Sequence, residues 1–279
     1  MKLDKFLIIS IAVLVVILLI IILLGGAALL LFIAIKAGPF TGGSVLIQKN
    51  YDYNGTLNGF DHVNLQVKDI NGHVTVKEGG SNAYDISVNT QGTQSDYSRY
   101  GVSFDQAGTS GNKTLDLTIT DNSIMGFSPN SQYNADITVI LPQNMAYTMT
   151  LDTVNGQIDA GQFNCDVLTM DTTNGELIST ANANTASYNT VNGFISVATS
   201  ATSGSINAST VNGEVDVSVP SGASVSINAR LMNGRISTNM PIDVTGKGML
   251  SLMGTTPNYS NGLSLRLSTM NGDINVNSA

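Results

Sequence analysis

An Asn-Gly pair recurs at nearly constant spacing through the second half of the chain. The predicted corners are Asn155-Gly156, Asn174-Gly175, Asn192-Gly193, Asn212-Gly213, Asn233-Gly234 and Asn271-Gly272. Their intervals are 19, 18, 20, 21 and 38 residues, and an earlier copy, KDINGHVTV, begins at Lys68. The long interval equals two periods, which predicts a degenerate corner at Met253-Gly254. A fixed period of this length indicates a repeat architecture whose units pack on their neighbours.

Apolar and polar residues alternate on both sides of each Asn-Gly pair. With the Asn as position zero, positions −6, −4 and +3 are apolar, whereas position +2 is mostly polar. This period of two indicates half-buried strands. The inward-facing positions are even-numbered before the pair and odd-numbered after it. This change predicts a corner at which Asn and Gly both adopt positive φ.

Two all-β architectures fit this pattern. In a parallel β-helix, or solenoid, each period of about 19 residues is one coil, and equivalent residues stack roughly 4.8 Å apart on successive coils. In the alternative, each Asn-Gly is a type I′ turn between stacked antiparallel hairpins. The near-constant spacing favours the solenoid, with the corner Asn residues forming a ladder.

A long apolar run precedes the polar part of the chain. Residues 6–35 carry no charge, and about 20 apolar residues suffice to span a bilayer. The run is about twice the length of a signal-peptide core, which favours an uncleaved transmembrane helix. The lipid bilayer is therefore the first predicted partner.

The composition divides the chain into five segments. We predict a short cytoplasmic tail at 1–5, the transmembrane helix at 6–35, a stalk or linker at 36–59, an irregular β region and cap at 60–150, and the regular solenoid at 151–279. Within the cap region, residues 89–113 are expected to be mostly loop. The thiol-poor domain, rich in Asn, Ser and Thr, is expected to face outward, and its sequons predict N-glycosylation at Asn54, Asn112, Asn207 and Asn258.

The charge balance bears on the partners. Beyond the apolar run there are ten Lys or Arg and 19 Asp or Glu residues. Phosphate backbones need clustered cations, so we expect no nucleic-acid partner. The only cysteine, Cys165, cannot form an internal disulfide.

The sequence offers little catalytic chemistry. His62 and His73 lack metal-ligand spacing, so we expect no metal and no cofactor. Asp152 and Asp171 share position −3 of adjacent repeats, and a solenoid would bring them about 5 Å apart. Such a pair could perform retaining glycoside chemistry or hold a cation. We interpret it instead as part of a polar outer face.

The segments VNGQI, TNGEL, VNGFI, VNGEV, MNGRI and MNGDI, together with DITVILP at 136–142, resemble a family of bacterial and archaeal envelope proteins. These are known as putative adhesins, a domain of otherwise unknown function. The resemblance spans roughly residues 60–279. It implies a right-handed parallel β-helix, and it implies no binding residues.

Three functions are compatible with these features. The first is a membrane-anchored, adhesin-like interaction or structural module at the cell surface, without catalysis, that binds a surface glycan or a protein. The second is an envelope stress-sensing or regulatory protein that acts through a membrane partner. The third is a carbohydrate-active enzyme using Asp152 and Asp171.

Overall fold

The structure is a computed structural model and describes residues 45–80, 82–122 and 131–278. The described residues form β-strands and one short helix, so the all-β prediction is confirmed. Within this part of the chain, no helix is long and apolar enough to cross a membrane. The predicted transmembrane helix at 6–35 lies outside the described residues.

Seven coils form the body of the described chain. Each has a long strand, an Asn-Gly corner and a short strand. The long strands are β2 (Phe60–Lys68), β8 (Ala146–Asp152), β10 (Asn164–Asp171), β12 (Asn182–Asn189), β14 (Gly204–Asn212), β16 (Val225–Asn233) and β20 (Leu263–Asn271). The short strands that follow them are β3 (Val74–Gly79), β9 (Ile158–Ala160), β11 (Leu177–Ser179), β13 (Ile195–Ala198), β15 (Val215–Val219), β17 (Ile236–Thr238) and β21 (Ile274–Ser278).

The coils stack through parallel pairing, which selects the solenoid over antiparallel hairpins. All seven long strands lie in one sheet, the long-strand sheet, and the seven short strands lie in a second, the short-strand sheet. The register places equivalent residues opposite each other, for example Leu177 against Ile158 and Ile195. Extended strands present alternate side chains to opposite faces, so one register aligns a whole apolar stripe.

The core lies between the two sheets and contains the predicted apolar stripes. Position +3 is fully buried in five of the six repeats, and Ile236, on the outermost short strand, is half-buried. Positions −6 and −4 are also buried throughout. Burial of this continuous apolar surface is the main stabilising contribution to the fold.

The Asn-Gly corners differ from the predicted geometry. Among the described residues, the non-glycine residues with positive φ are Asn258 and Asn261, so none of the corner asparagines adopts that conformation. The Asn is required because its side chain forms a ladder. From Asn155 onward, each amide Nδ2 donates to the Oδ1 of the preceding Asn at 2.7–2.8 Å, along the row Asn71, Asn155, Asn174, Asn192, Asn212, Asn271 and Asn233.

The corner glycine is required by a close approach of two coils. A Cβ on Gly193 would lie 1.7 Å from the carbonyl oxygen of Gly175, and Gly156 and Gly213 face the same restriction. The threonine two residues before the Asn reinforces the corner. In four of the described coils its hydroxyl donates to the neighbouring coil's glycine carbonyl, as Thr210 does to Gly193 at 3.2 Å.

The coils do not stack in sequence order, which corrects the expected arrangement. The last coil, β20–β21, lies between the β14–β15 coil and the β16–β17 coil. The predicted coil near residue 252 is therefore wrong. Residues 243–255 instead form an antiparallel hairpin, β18 (Asp243–Gly248) and β19 (Ser251–Thr255), which pairs with the outer edge of β16.

The opposite end carries a larger cap. Its elements are β1 (Ile47–Thr56), β4 (Ala83–Gly92), α1 (Gln94–Arg99), β5 (Tyr100–Thr109), β6 (Gly111–Asp121) and β7 (Asn134–Pro142). Strands β6 and β7 continue the parallel stack beside β2 and β3, and β5, β4 and β1 add antiparallel strands beyond them. An antiparallel cover of this kind ends a parallel stack.

Two expectations for this region need correction. Residues 89–113, expected as loop, contain α1, β5 and the ends of β4 and β6. Residues 47–56 of the expected stalk form β1, which pairs along its whole length with β4. These strands are rich in polar residues because β1 and β5 are sheet edges with largely exposed residues.

Candidate functional site: the outer face of the long-strand sheet

The candidate site is the outer face of the long-strand sheet, formed by positions −5 and −3 of the seven coils. In stacking order, position −5 is Gln66, Thr150, Thr169, Ser187, Asn207, Arg266 and Asn228. Position −3 is Lys68, Asp152, Asp171, Asn189, Ser209, Ser268 and Arg230. Seven strands at about 4.8 Å spacing make this face roughly 29 Å long.

Charge is segregated along the outer face. Lys68 and the two aspartates lie toward the cap end, and Arg266 and Arg230 lie at the other end. Between them the two rows consist of Ser, Thr and Asn. Ser268 donates from Oγ to Ser209 Oγ at 3.0 Å, so part of this polar surface is ordered by its own hydrogen bonds.

The aspartate pair lies where the repeat predicts it. Asp152 and Asp171 are direct register partners on adjacent coils. Burial, together with repulsion by Asp171, raises the pKa of Asp152 to about 6, and Lys68 offsets part of this rise. Burial also raises the pKa of Asp171, although its Oδ1 accepts a hydrogen bond from Asn189 Nδ2 at 2.7 Å.

The histidines form separate polar contacts. Nδ1 of His73 lies 3.2 Å from Asp136 Oδ1, and Nε2 of His62 lies 3.4 Å from Asp166 Oδ2. In residues 45–80, 82–122 and 131–278, no three His, Cys, Asp or Glu residues come together as a metal site would require. These contacts are therefore pairwise and local.

The thiol of Cys165 lies in the core, 4% exposed. Burial, with a further contribution from Asp166, raises the pKa of this thiol to about 12. The thiolate is the nucleophilic form, so this environment suppresses its reactivity.

The predicted sequons occupy different surroundings. Asn54, Asn112 and Asn258 are exposed, and Asn207 is half-buried on the outer face. Glycosylation at all four remains a prediction.

Two features escaped the sequence reasoning. Asn207 flanks Arg266 because the last coil is inserted between two earlier ones, and no local pattern encodes that order. Asp69 is the second feature: it occupies the inward position −2, where five later coils have Thr, and it is 5% exposed. An aspartate where most later coils have threonine is visible in the sequence, and it was the signal that could have identified this buried carboxyl.

Fold and face together define a class: a capped parallel β-solenoid that presents a long polar surface. Residues 146–277 match the family described as Toastrack DUF4097. The family resemblance deduced from the Asn-Gly segments is thereby confirmed, over a shorter span than the expected 60–279.

Other known proteins give only distant similarity. A search of curated proteins finds no match. Among solved structures, one described as a putative cell adhesion protein from Clostridium sporogenes has 12% identity and a TM-score of 0.47, with 84% of this chain and 100% of that chain covered. One described as a putative adhesin from Bacteroides fragilis has 12% identity and a TM-score of 0.30, with 84% and 98% covered.

Proposed function

We propose that the chain is a membrane-anchored module, displayed outside the cytoplasm, that binds a surface or envelope ligand through the outer face of its long-strand sheet. The observation that carries this proposal is the outer face itself. It presents two continuous rows of polar and charged side chains on strands whose register is fixed by parallel pairing. Solenoids commonly use such extended surfaces for binding.

The proposed role is adhesin-like and non-catalytic. A retaining glycosidase places its two carboxyl groups on either side of the scissile bond. Asp152 and Asp171 project from neighbouring strands of the same face, so a sugar would lie over both rather than between them. Asp171 is also engaged by Asn189. This geometry suits a polar surface better than acid–base catalysis.

A matched pair of substitutions tests the binding face. Ser187 lies at the centre of the outer face, and Ser196 points outward from the short-strand sheet of the same coil. The full-length chain, solubilised in detergent, is screened against glycans and envelope proteins. Ser187→Tyr should block the ligand found, whereas Ser196→Tyr should not. A ligand lost only in Ser196→Tyr would place the binding surface on the other sheet.

Orientation and anchoring have a separate test. Protease added to intact cells should remove a tag at Ala279 and spare one at Met1, and the protein should stay with membranes after alkaline extraction. Protection of the Ala279 tag together with cleavage of the Met1 tag would reverse the proposed orientation. Release by alkali would contradict a transmembrane anchor.

A further inference from the structure

Two arginines meet at one end of the outer face. Arg266 on β20 lies between Asn207 of β14 and Asn228 of β16, which are its register partners on either side. Arg230 is two residues farther along β16, opposite Ser268. The two guanidinium groups are therefore diagonal neighbours on adjacent strands, and both side chains are exposed.

These arginines differ from the other two in the chain. Arg99 forms a two-pronged ion pair with Asp121, at 2.7 and 2.5 Å. Arg235 lies 3.6 Å from Asp273. Within the part of the chain that the structure describes, Arg230 and Arg266 have neither an ion pair nor a hydrogen bond. In a chain of net charge −8, an adjacent unpaired pair of cations is an available anion-binding group.

The arginines line a shallow concavity of about 300 Å³. Its other polar side chains are Asn207, Ser209, Asn228 and Ser268, and no carboxylate is among its lining residues. Oδ1 of Asn228 is buried and has no hydrogen-bond partner. Asn228 lies directly opposite Arg266. Its unpaired oxygen is therefore an acceptor that can orient the Arg266 guanidinium when a bound ligand fixes that side chain.

The lining indicates which anion fits. A guanidinium binds a carboxylate or a phosphate group through two parallel hydrogen bonds. The surrounding amides and hydroxyls match sugar hydroxyl groups, and the lining contains no aromatic side chain to anchor a peptide. The shallow groove also opens onto the polar rows of the outer face, along which a linear polymer could extend.

We propose that this arginine cleft binds anionic glycans, with Arg230 and Arg266 pairing to carboxylate or phosphate groups along the polymer. The inference rests on the proposed function, since it names the ligand class of the same face. Binding should weaken as salt increases, because the ion pairs are solvent-exposed and screened.

The test measures binding of two polymers to the full-length chain in detergent. Polygalacturonate supplies carboxylates, dextran phosphate supplies phosphates, and unmodified dextran is the neutral control. The variant Arg230→Gln/Arg266→Gln should bind the preferred anionic polymer roughly tenfold more weakly or worse. Arg266→Lys should give an intermediate loss, because it keeps the charge without the two-pronged geometry.

Arg235→Gln is the matched control. It removes one positive charge, as each of the two cleft substitutions does, from an exposed arginine, 88% accessible, that lies outside the cleft, and it should leave affinity within about twofold. Denaturant midpoints establish that each variant folds.

The outcomes separate the inference from the proposed function. Loss of binding of either anionic polymer in the double variant, with Arg235→Gln unaffected, supports the cleft. Equal losses of affinity in the double variant and in Arg235→Gln would attribute the effect to net charge and overturn the proposed cleft. Polyglutamate binding as tightly as the glycans would overturn the glycan assignment. Failure of both polymers, while another ligand is blocked by Ser187→Tyr, would overturn the cleft and leave the proposed function standing.

Discussion

Asp69 is a buried carboxyl in a position that the later coils fill with threonine. It is 5% exposed, and neither carboxylate oxygen has a hydrogen-bond partner. The amides of Ile70 and Asn71 and the hydroxyl of Thr153 lie near enough to favour the charged form, but none makes a well-formed hydrogen bond. A buried charge without partners is costly. The ionised form of Asp69 should therefore destabilise the fold.

The size of this effect follows from the pKa. Burial, with a smaller contribution from Asp136, raises the pKa of Asp69 to about 7. An unfolded aspartate titrates near 4, and each unit of difference corresponds to about 1.4 kcal/mol. Because the folded pKa lies above the unfolded one, the favourable contribution is fully present below about pH 4 and is lost as pH rises to about 7. At pH 8 the loss approaches 4 kcal/mol as an upper estimate.

The variant Asp69→Asn removes this titration with little change in shape. We expect similar stability of wild type and variant at pH 4, and a variant that is more stable at pH 8 by up to about 4 kcal/mol. Urea denaturation of the full-length chain in detergent at both pH values measures the difference. Asp61→Asn, at an exposed site on the same strand, should change stability by no more than about 0.5 kcal/mol at either pH.

Two results would refute the reasoning about Asp69. Equal pH dependence in wild type and Asp69→Asn would show that the carboxyl does not titrate differently in the folded state. If Asp69→Asn were less stable than wild type at pH 8 but equally stable at pH 4, the charged form of Asp69 would be stabilised by its surroundings.

Five further substitutions, in three tests, probe the coils and the outer face, each read from urea denaturation. Ile195→Ala should lower the free energy of unfolding by about 2–5 kcal/mol, because Ile195 is fully buried. Phe194→Ala should lower it less, because Phe194 is half-buried. A larger loss in Phe194→Ala than in Ile195→Ala would contradict the register. Gly193→Ala should destabilise strongly, since its Cβ would lie 1.7 Å from a neighbouring carbonyl oxygen, while Gly80→Ala, with open space around it, should not. Asp152→Asn should stabilise the protein above about pH 6, where the buried carboxyl of wild type is ionised at an energetic cost; a loss of stability there would contradict the sign.

The sequence was sufficient to predict the coil but not the position of each coil in the stack. Alternation around the Asn-Gly pair is a local property, so the burial of Ile195 and Leu177 followed directly from period and parity. The Asn ladder was likewise predictable. The reason for the Asn-Gly pair was not predictable. Asn is selected here by side-chain hydrogen bonding and Gly by close contact between coils, yet a corner with positive φ would favour the same two residues.

The order of the coils could not be read from the sequence for a physical reason. Each coil presents the same Asn, Thr and aliphatic stripes to both neighbours, so the ladder between Asn212 and Asn271 resembles the one between Asn271 and Asn233. The repeat therefore sets the geometry of stacking without choosing the neighbour. The 38-residue interval was the available signal, and it was interpreted as an extra coil when it holds the β18–β19 hairpin.

The intercalated coil also determines the candidate binding site. In a sequential stack β16 would lie against β14, and Arg230 would neighbour Ser209. Strands β16 and β20 would be neighbours in either order, but insertion of β20 adds Asn207 beside Arg266, which therefore lies between Asn207 and Asn228. The insertion also moves β16 to the end of the coil stack, where the hairpin covers its free edge. One topological feature thus places β16 under the covering hairpin and completes the lining of the arginine cleft with Asn207 and Ser209, so a change that displaced the last coil should weaken anionic glycan binding even with both arginines intact.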